Sequence, residues 1–536
     1  MTSGENKSGR TRGLCAVSGP ELVFGLIGAV GTDLSQVSQA LSQHLERVGY
    51  NSHEIRVSSL LHSLDRFQAL ANPGLSSEYQ RIKEHMKAGS DLRALAKHGD
   101  VLALMTVSRI RNIRREYGRG PEADRERIPL ARTAYIVRSI KHPAEINAFR
   151  DIYGRAFFLV SAYSPRGKRV SSLAVQIAES EGNPDSSSFR ENAEELIRID
   201  EEEGAPLGQS VRDSFPQGDV FVDTRSRDRL YASLGRFVEA VFGNPFVTPT
   251  ADEVGMFHAN SAALRSADLG RQVGAAIATR EREISALGCN EVPRAGGGLY
   301  WSGDEPDARD FQEGYDSSAR FRDKIIGELT AKLVQTGWSP PAGPSVEPHK
   351  LAEWMAREQV FRGTRLQNLL EYGRAVHAEM AAITDAARRG VSIQNSTLYT
   401  TTFPCHLCAR HIIAAGIGRV VYIEPYPKSV AEELYGDSLS VDPEERPSTK
   451  VAFEPFVGIA PSLFQQAFRL MPGTRKDNRG NVKVWQPAKA EPKLKRYVLS
   501  YVLIEEEVLG SVLPEYFARM NVHPVASTAD ERKAKS

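Results

Sequence analysis

Val376-His377-Ala378-Glu379-Met380-Ala381 and, further on, Thr402-Phe403-Pro404-Cys405-His406-Leu407-Cys408 combine into the pattern H-x-E followed by P-C-x-x-C. The intervening residues read as a helix over 375–389, a strand over 396–401, a helix over 405–415 and a strand over 419–423, and this alternation predicts an α/β layer. A catalytic zinc ion (Zn2+) takes three protein ligands in a tetrahedron and leaves the fourth position to water. His377, Cys405 and Cys408 supply such a set. Two cysteines separated by two residues at a helix start can face one ion, and the exposed N–H groups there favour thiolates. Pro404 suits a helix entry because it has no N–H to leave unsatisfied. Glu379, two residues after the histidine, can reach a metal-activated water without competing for the metal, which makes it the candidate proton carrier. A closed structural site would need a fourth ligand, yet the remaining cysteines are 15 and 289 and the nearest histidines are His406 and His411.

Upstream, Leu22-Val23-Phe24 reads as a strand, Gly25, Gly28 and Gly31 as a glycine turn, and Leu34, Val37, Leu41 and Leu45 as one face of a helix. Strands over 133–140, 156–161 and 219–223 alternate with helices over 143–153, 188–202 and 228–242, which predicts a parallel sheet. Residues 243–249 carry two prolines and a glycine and mark a domain boundary. The expected organisation is a loose leader over 1–20, an α/β domain over 21–245, a second domain over 251–510 with insertions near 300–374 and 427–495, and a tail over 511–536. A strand is expected over 496–504, ending the second domain.

The segment Gly25 to Asp33 has the strand-turn-helix setting in which backbone N–H groups cradle phosphates. In G-x-x-x-x-G-K-[ST], lysine reaches the phosphates and the hydroxyl reaches magnesium; here Thr32 and Asp33 follow Gly31 instead. The expectation is a P-loop kinase-like domain without phosphoryl transfer. It would sense a nucleotide, an RNA or a phage product, with Gly25, Gly28, Gly31 and Thr32 at a nucleotide or Mg2+ site and Arg138, Lys141, Arg166, Lys168 and Arg169 as candidate neighbours. A tight turn packing helix on sheet is the competing reading.

The whole chain of 536 residues carries 68 Lys+Arg against 67 Asp+Glu, so no excess positive charge drives polynucleotide binding. Small substrates fit better than a polynucleotide editor. Four cysteines, no signal-peptide core and no apolar run of membrane-spanning length point to a cytoplasmic protein.

The blocks Val273-Gly274-Ala275-Ala276-Ile277, Gly288-Cys289-Asn290, Val376 to Ala381, Thr402 to Cys405 and Ala414 to Ile417 resemble the deoxycytidylate branch of the cytidine deaminase superfamily. With the N-terminal domain, the whole chain resembles the bacterial anti-phage dCTP deaminases, in which infection triggers loss of the deoxycytidine nucleotide pool. The resemblance implies a cytidine deaminase-like α/β/α fold and one zinc per chain. It also implies deamination of dCTP or dCMP and assembly into a homo-oligomer. It gives Asn290 the role of holding the sugar and sets Thr402-Phe403 beside the base, although Cys289 and Glu291 depart from the family's usual tyrosine-glycine context. Arg271, Tyr426 and Lys428 are candidates for the phosphate end, because polyphosphate needs cations or oriented donors. Restraint by an RNA or a nucleotide effector is expected, since constant drain of a DNA precursor would be toxic. A polynucleotide deaminase and a nucleotide-sensing regulatory protein are the alternative readings.

Overall fold

The structure is a computed structural model and describes residues 19–71, 77–122, 124–201, 207–338, 350–351, 354–355, 364, 372–424, 429–444, 446, 449–470, 473–494 and 500–525. In chain order its strands are β1 (Leu22–Ile27), β2 (Asn51–Arg56), β3 (Thr133–Arg138), β4 (Phe157–Tyr163), β5 (Val220–Asp223), β6 (Gly274–Ala278), β7 (Ile284–Cys289), β8 (Thr397–Thr400), β9 (Arg419–Tyr422), β10 (Leu439–Val441), β11 (Val451–Pro455) and β12 (Gly458–Ile459). They form two mixed sheets, ordered β12-β5-β4-β1-β3-β2 and β10-β11-β9-β8-β6-β7. In the first, β1 to β5 are mutually parallel and the two-residue β12 is antiparallel to β5. In the second, β6 is antiparallel to β7 and β8, whereas β8, β9, β11 and β10 run parallel.

The chain divides into two compact units, one of Met1–Glu253 with Glu424–Tyr426 and Phe456–Ser536, the other of Val254–Ile423 with Pro427–Pro455. This redraws the boundaries expected from sequence, because the described residues from Phe456 onward belong to the first unit. The stretch read as a strand over 496–504 is, where described, the helix Ser500–Glu507. Its run of tyrosine, valine, leucine and isoleucine suggested period 2. Burial instead follows a helix face: Tyr501, Val502 and Glu505 are buried while Leu503 is 69% exposed. The expected tail likewise holds the helix Leu513–Met520, whose Leu513, Tyr516 and Met520 share a core with Leu92, Val101 and Ile110.

A buried ion network fastens this C-terminal segment within the first unit. The Arg114 guanidinium reaches Glu21 at 2.8 Å and Glu505 at 2.9 Å, Tyr135 and Tyr501 donate to Glu21, and Tyr153 donates to Glu505. Burial pushes the Glu505 carboxyl above its ordinary range, and Arg114 opposes that shift.

In the second unit, two helices lie directly on the sheet because glycine leaves room for them. A Cβ on Gly274 would stand 1.9 Å from the Ala259 carbonyl oxygen, in the helix Ala251–Ala263. A Cβ on Gly288 would stand 2.2 Å from the Ala378 oxygen and 2.4 Å from the Ala382 nitrogen, in the helix Ala378–Arg389. These neighbours are backbone, so no side-chain rotation could make space. The core beneath is small and apolar: Ala275, Ile277, Ala382, Leu398, Ile412 and Val420 among others.

Gly288→Ala should force the helix Ala378–Arg389 off β7, cost about 1–3 kcal/mol of stability and reduce bound zinc; unchanged melting and metal content would contradict the close approach. Arg114→Met leaves two carboxylates in the core without their cation and should lower the unfolding free energy by about 3–5 kcal/mol in urea titrations.

Candidate active site

His377 is the N-cap of the helix Ala378–Arg389, and its ring makes no capping hydrogen bond, so it is available to a ligand. The residue before it is pinned: Val376 and Glu291 exchange both backbone hydrogen bonds, at 2.9 and 3.2 Å, across a bridge that continues from β7. Cys405 is the N-cap of the helix His406–Ala414, with its sulfur accepting from the Cys408 N–H. Pro404 therefore precedes the cap rather than opening the helix itself. Both helices present their N-termini at this point, where peptide dipoles favour negative charge.

The Nδ1 of His377 lies 3.3 Å from the Cys405 sulfur and 3.4 Å from the Cys408 sulfur. A tetrahedral zinc ion with bonds of about 2.3 Å to sulfur and about 2.0 Å to nitrogen holds such atoms about 3.5 Å apart. The donor set therefore fits zinc. Among the described residues, this trio is the group of histidine, cysteine and acidic donors close enough to hold one ion. Glu379 stands beside the trio without joining it: one carboxylate oxygen is 3.4 Å from the Cys408 sulfur, and the residue is 3% exposed.

The electrostatics suit metal binding. The Cys405 thiol is held down to about 4, chiefly by the hydrogen bond from Cys408 and then by the His377 ring, while the Cys408 thiol is pushed up as the donor of that pair. His377 is raised chiefly by its hydrogen bond with Cys405. Burial pushes the Glu379 carboxyl up, and the Cys405 charge adds to that.

The expected substrate residues divide. Asn290 is 8% exposed and uses its amide on the backbone: Oδ1 accepts from the Val273 N–H and Nδ2 donates to the Arg271 carbonyl, both at 2.7 Å. It thereby fixes the segment carrying Arg271, whose side chain is exposed. The neighbouring Asp268 accepts from the Gly270 N–H at 2.8 Å, which shapes the turn before Arg271. Thr402 is half-buried, and its carbonyl accepts from the Thr400 hydroxyl. Phe403 was expected beside the base, but its ring packs into the core, 4.8 Å from Tyr422 and 5.7 Å from Phe453 between centroids. Tyr426 and Lys428 lie outside the described residues.

Two supports were missed in the sequence. Glu291, 2% exposed, accepts from the N–H groups of Ala267 and Val292 and so braces the bridge to Val376. Arg374 binds Asp310 at 2.9 Å and the Ala308 carbonyl, tying the first insertion to the residues leading into His377. Neither lies in a motif; each acts through contacts distant in sequence.

The N-terminal glycines behave differently from expectation. Gly25 lies inside β1, where a Cβ would strike Ile140 and Phe157, so it is a packing glycine rather than a loop residue. Gly28 abuts the Ala162 carbonyl, and Gly31 has φ +84° and faces Arg169. Asp33 caps the helix Leu34–Arg47 and so does not stand where the motif's hydroxyl would. Lys141 reaches the Gly28 carbonyl and Asp200, Arg138 pairs with Glu54, and Arg169 pairs with Glu201. Lys168 donates to the Arg225 carbonyl, and Arg166 begins the helix Arg166–Ser180.

Residues 249–424 match the family described as the cytidine and deoxycytidylate deaminase zinc-binding region. The chain thus carries a deaminase zinc-binding domain with a His/Cys/Cys metal site. A deoxycytidylate deaminase of Enterobacteria phage T2 is 48% identical over 54 residues, 10% of this chain and 29% of that protein. The ComE operon protein 2 of Bacillus subtilis (strain 168) is 41% identical over 63 residues, 12% of this chain and 33% of that one. This chain therefore spans about three tenths of the length of these curated relatives. A dCMP deaminase structure from the cyanophage S-TIM5 aligns at 17% identity over 39% of this chain and 99% of that one, with a TM-score of 0.20. No described helix is long and apolar enough to cross a membrane.

Zinc must displace protons from His377 and Cys408, so metal affinity should fall as pH falls. Chelator competition should strip zinc more readily at about pH 5.5 than at about pH 7.5; pH-independent retention would contradict this ligand set.

Proposed function

We propose that the second unit hydrolytically deaminates deoxycytidine nucleotides, dCTP or dCMP, to the corresponding deoxyuridine nucleotide and ammonia. The observation that carries this reading is the trio His377, Cys405 and Cys408 with Glu379 buried against it. When bound, zinc supplies Lewis acidity and lowers the pKa of its water towards neutrality. The chain's own part is proton handling and positioning. Glu379, with a carboxyl raised by burial, takes a proton from water and hands it to the ring nitrogen of the cytosine, then takes the second proton from the hydroxyl added at the ring carbon and hands it to the departing amino group. The balance is one water consumed and one ammonia released. The helix N-termini hold thiolate charge on the ligand side, and Glu291 and Arg374 keep His377 in register.

The nucleotide form of the substrate is supported by the names of the relatives, with Arg271, on the segment that the Asn290 amide fixes, as the candidate cation for its phosphate. Depletion of the dCTP pool as an anti-phage defence is supported by the resemblance of the whole chain to that group. The kinase-like reading of the first unit is supported by its parallel β1 to β5 and the glycine turn after β1.

Glu379→Gln should keep zinc and the melting temperature but lower turnover of dCTP and dCMP by about 100-fold or more, followed by ammonia release; full activity in that variant would refute the mechanism. Single-stranded DNA offered to the wild type should remain unedited.

A further inference from the structure

The first unit contains a cavity of about 430 Å³ that the deamination reading does not use. It opens at the carboxyl ends of β1, β3 and β2, three neighbouring strands, and open parallel sheets receive ligands at the carboxyl ends of their strands. Its walls differ in character. Val57, Leu61, Ile82, Met86, Leu102 and Leu173 are apolar, whereas Arg56 at the end of β2, Arg138 at the end of β3 and Arg81 bring guanidinium groups together. Arg81 is held by Glu78 through two hydrogen bonds of 2.6 Å and Arg138 pairs with Glu54 at 3.1 Å, so the three cations stand against two carboxylates.

The glycine turn is closed to an anion. The Val30 N–H donates to Asp200 at 2.6 Å, Lys141 binds the other Asp200 oxygen at 2.7 Å, and Asp200 is fully buried. The Thr32 N–H returns to Ala29 and the Leu34 N–H to Thr32. A carboxylate of the chain itself therefore fills the place that a phosphate would take on these amides. Three residues that line the cavity, Arg93, Arg138 and Thr32, each carry a buried polar atom without a partner. Arg93 is 1% exposed, with Nε on the Leu207 carbonyl and Nη1 on Glu145, yet its Nη2 has no partner. The Nε of Arg138 and the hydroxyl of Thr32 are also buried without partners.

We infer that this cavity binds a small organic phosphate of nucleoside-monophosphate size, with its phosphate on Arg56, Arg81 and Arg138 and its body against the apolar wall, rather than on the glycine turn. The site is independent of the zinc centre. Equilibrium dialysis of the full-length, zinc-loaded protein with labelled dTMP, dGMP, AMP, ribose 5-phosphate and inorganic phosphate tests it, none of these being a cytosine nucleotide. Saturable binding of a nucleotide, or of ribose 5-phosphate in its place, is expected. It should weaken about tenfold or more in Arg56→Gln and in Arg138→Gln, with zinc content and melting temperature unchanged, and it should persist in Lys168→Gln and in Glu379→Gln. Arg56 is exposed, so its substitution leaves the fold intact. The inference is overturned if no probe binds at millimolar concentration, if binding survives loss of both arginines, if inorganic phosphate binds as tightly as every organic probe, or if stripping zinc abolishes binding.

Discussion

The metal-binding arrangement depends on how closely a helix can approach a sheet. Gly288 has no side chain, and the backbone of the helix Ala378–Arg389 occupies the space where a Cβ would be. This contact sets the depth at which the helix begins, and with it the position of His377 at the cap and Glu379 in the first turn. The other two ligands come from a separate source, the loop after β8, where Cys405 caps the helix His406–Ala414 and brings Cys408 one turn on. The trio meets because β6 lies between β7 and β8. A displacement of either helix by about 1 Å would spoil ligand geometry, since functional constellations tolerate only about 0.5 Å.

Anions at helix starts recur in both units, to different ends. In the deaminase unit, two helix N-termini face the thiols and the carboxyl of the reacting site, and the Cys405 thiol is held down to about 4. In the first unit, the equivalent opportunity after β1 is consumed internally: Asp33 caps its helix and Asp200 occupies the Val30 amide, neutralised by Lys141. The same backbone physics supports chemistry in one place and closure in the other. What distinguishes them is whether the buried negative charge belongs to a metal ligand or to a carboxylate with its own cation.

The C-terminal segment illustrates the weight of buried charge in deciding topology. Arg114 is buried beside Glu21 and Glu505, and three tyrosine hydroxyls supply further hydrogen bonds. Separating such a cluster would leave charge in an apolar core, so the segment carrying Glu505 stays with the helix Val101–Tyr117 and the strand β1 next to Glu21. Sequence distance offers no hint of this: Glu505 pairs with Arg114 and Tyr153, 391 and 352 residues away.

Local information was enough for the zinc ligands and for most of the elements that carry them. H-x-E and P-C-x-x-C have a spacing dictated by coordination chemistry, and the helices and strands around them follow apolar periodicities of 3.6 and 2. The helix Pro143–Tyr153 and the strands β8 and β9 were legible for the same reason. Tertiary structure alone decided the rest. It turned the apolar run at residues 500–507 into a helix by burying Tyr501, Val502 and Glu505 together, and it packed the Phe403 ring into the core. It also gave Gly25 a packing role, engaged the Asn290 amide with backbone groups, and sealed the glycine turn with Asp200. In each case, a partner far away in the chain determines what the side chain touches, and a motif's spacing contains no term for that partner.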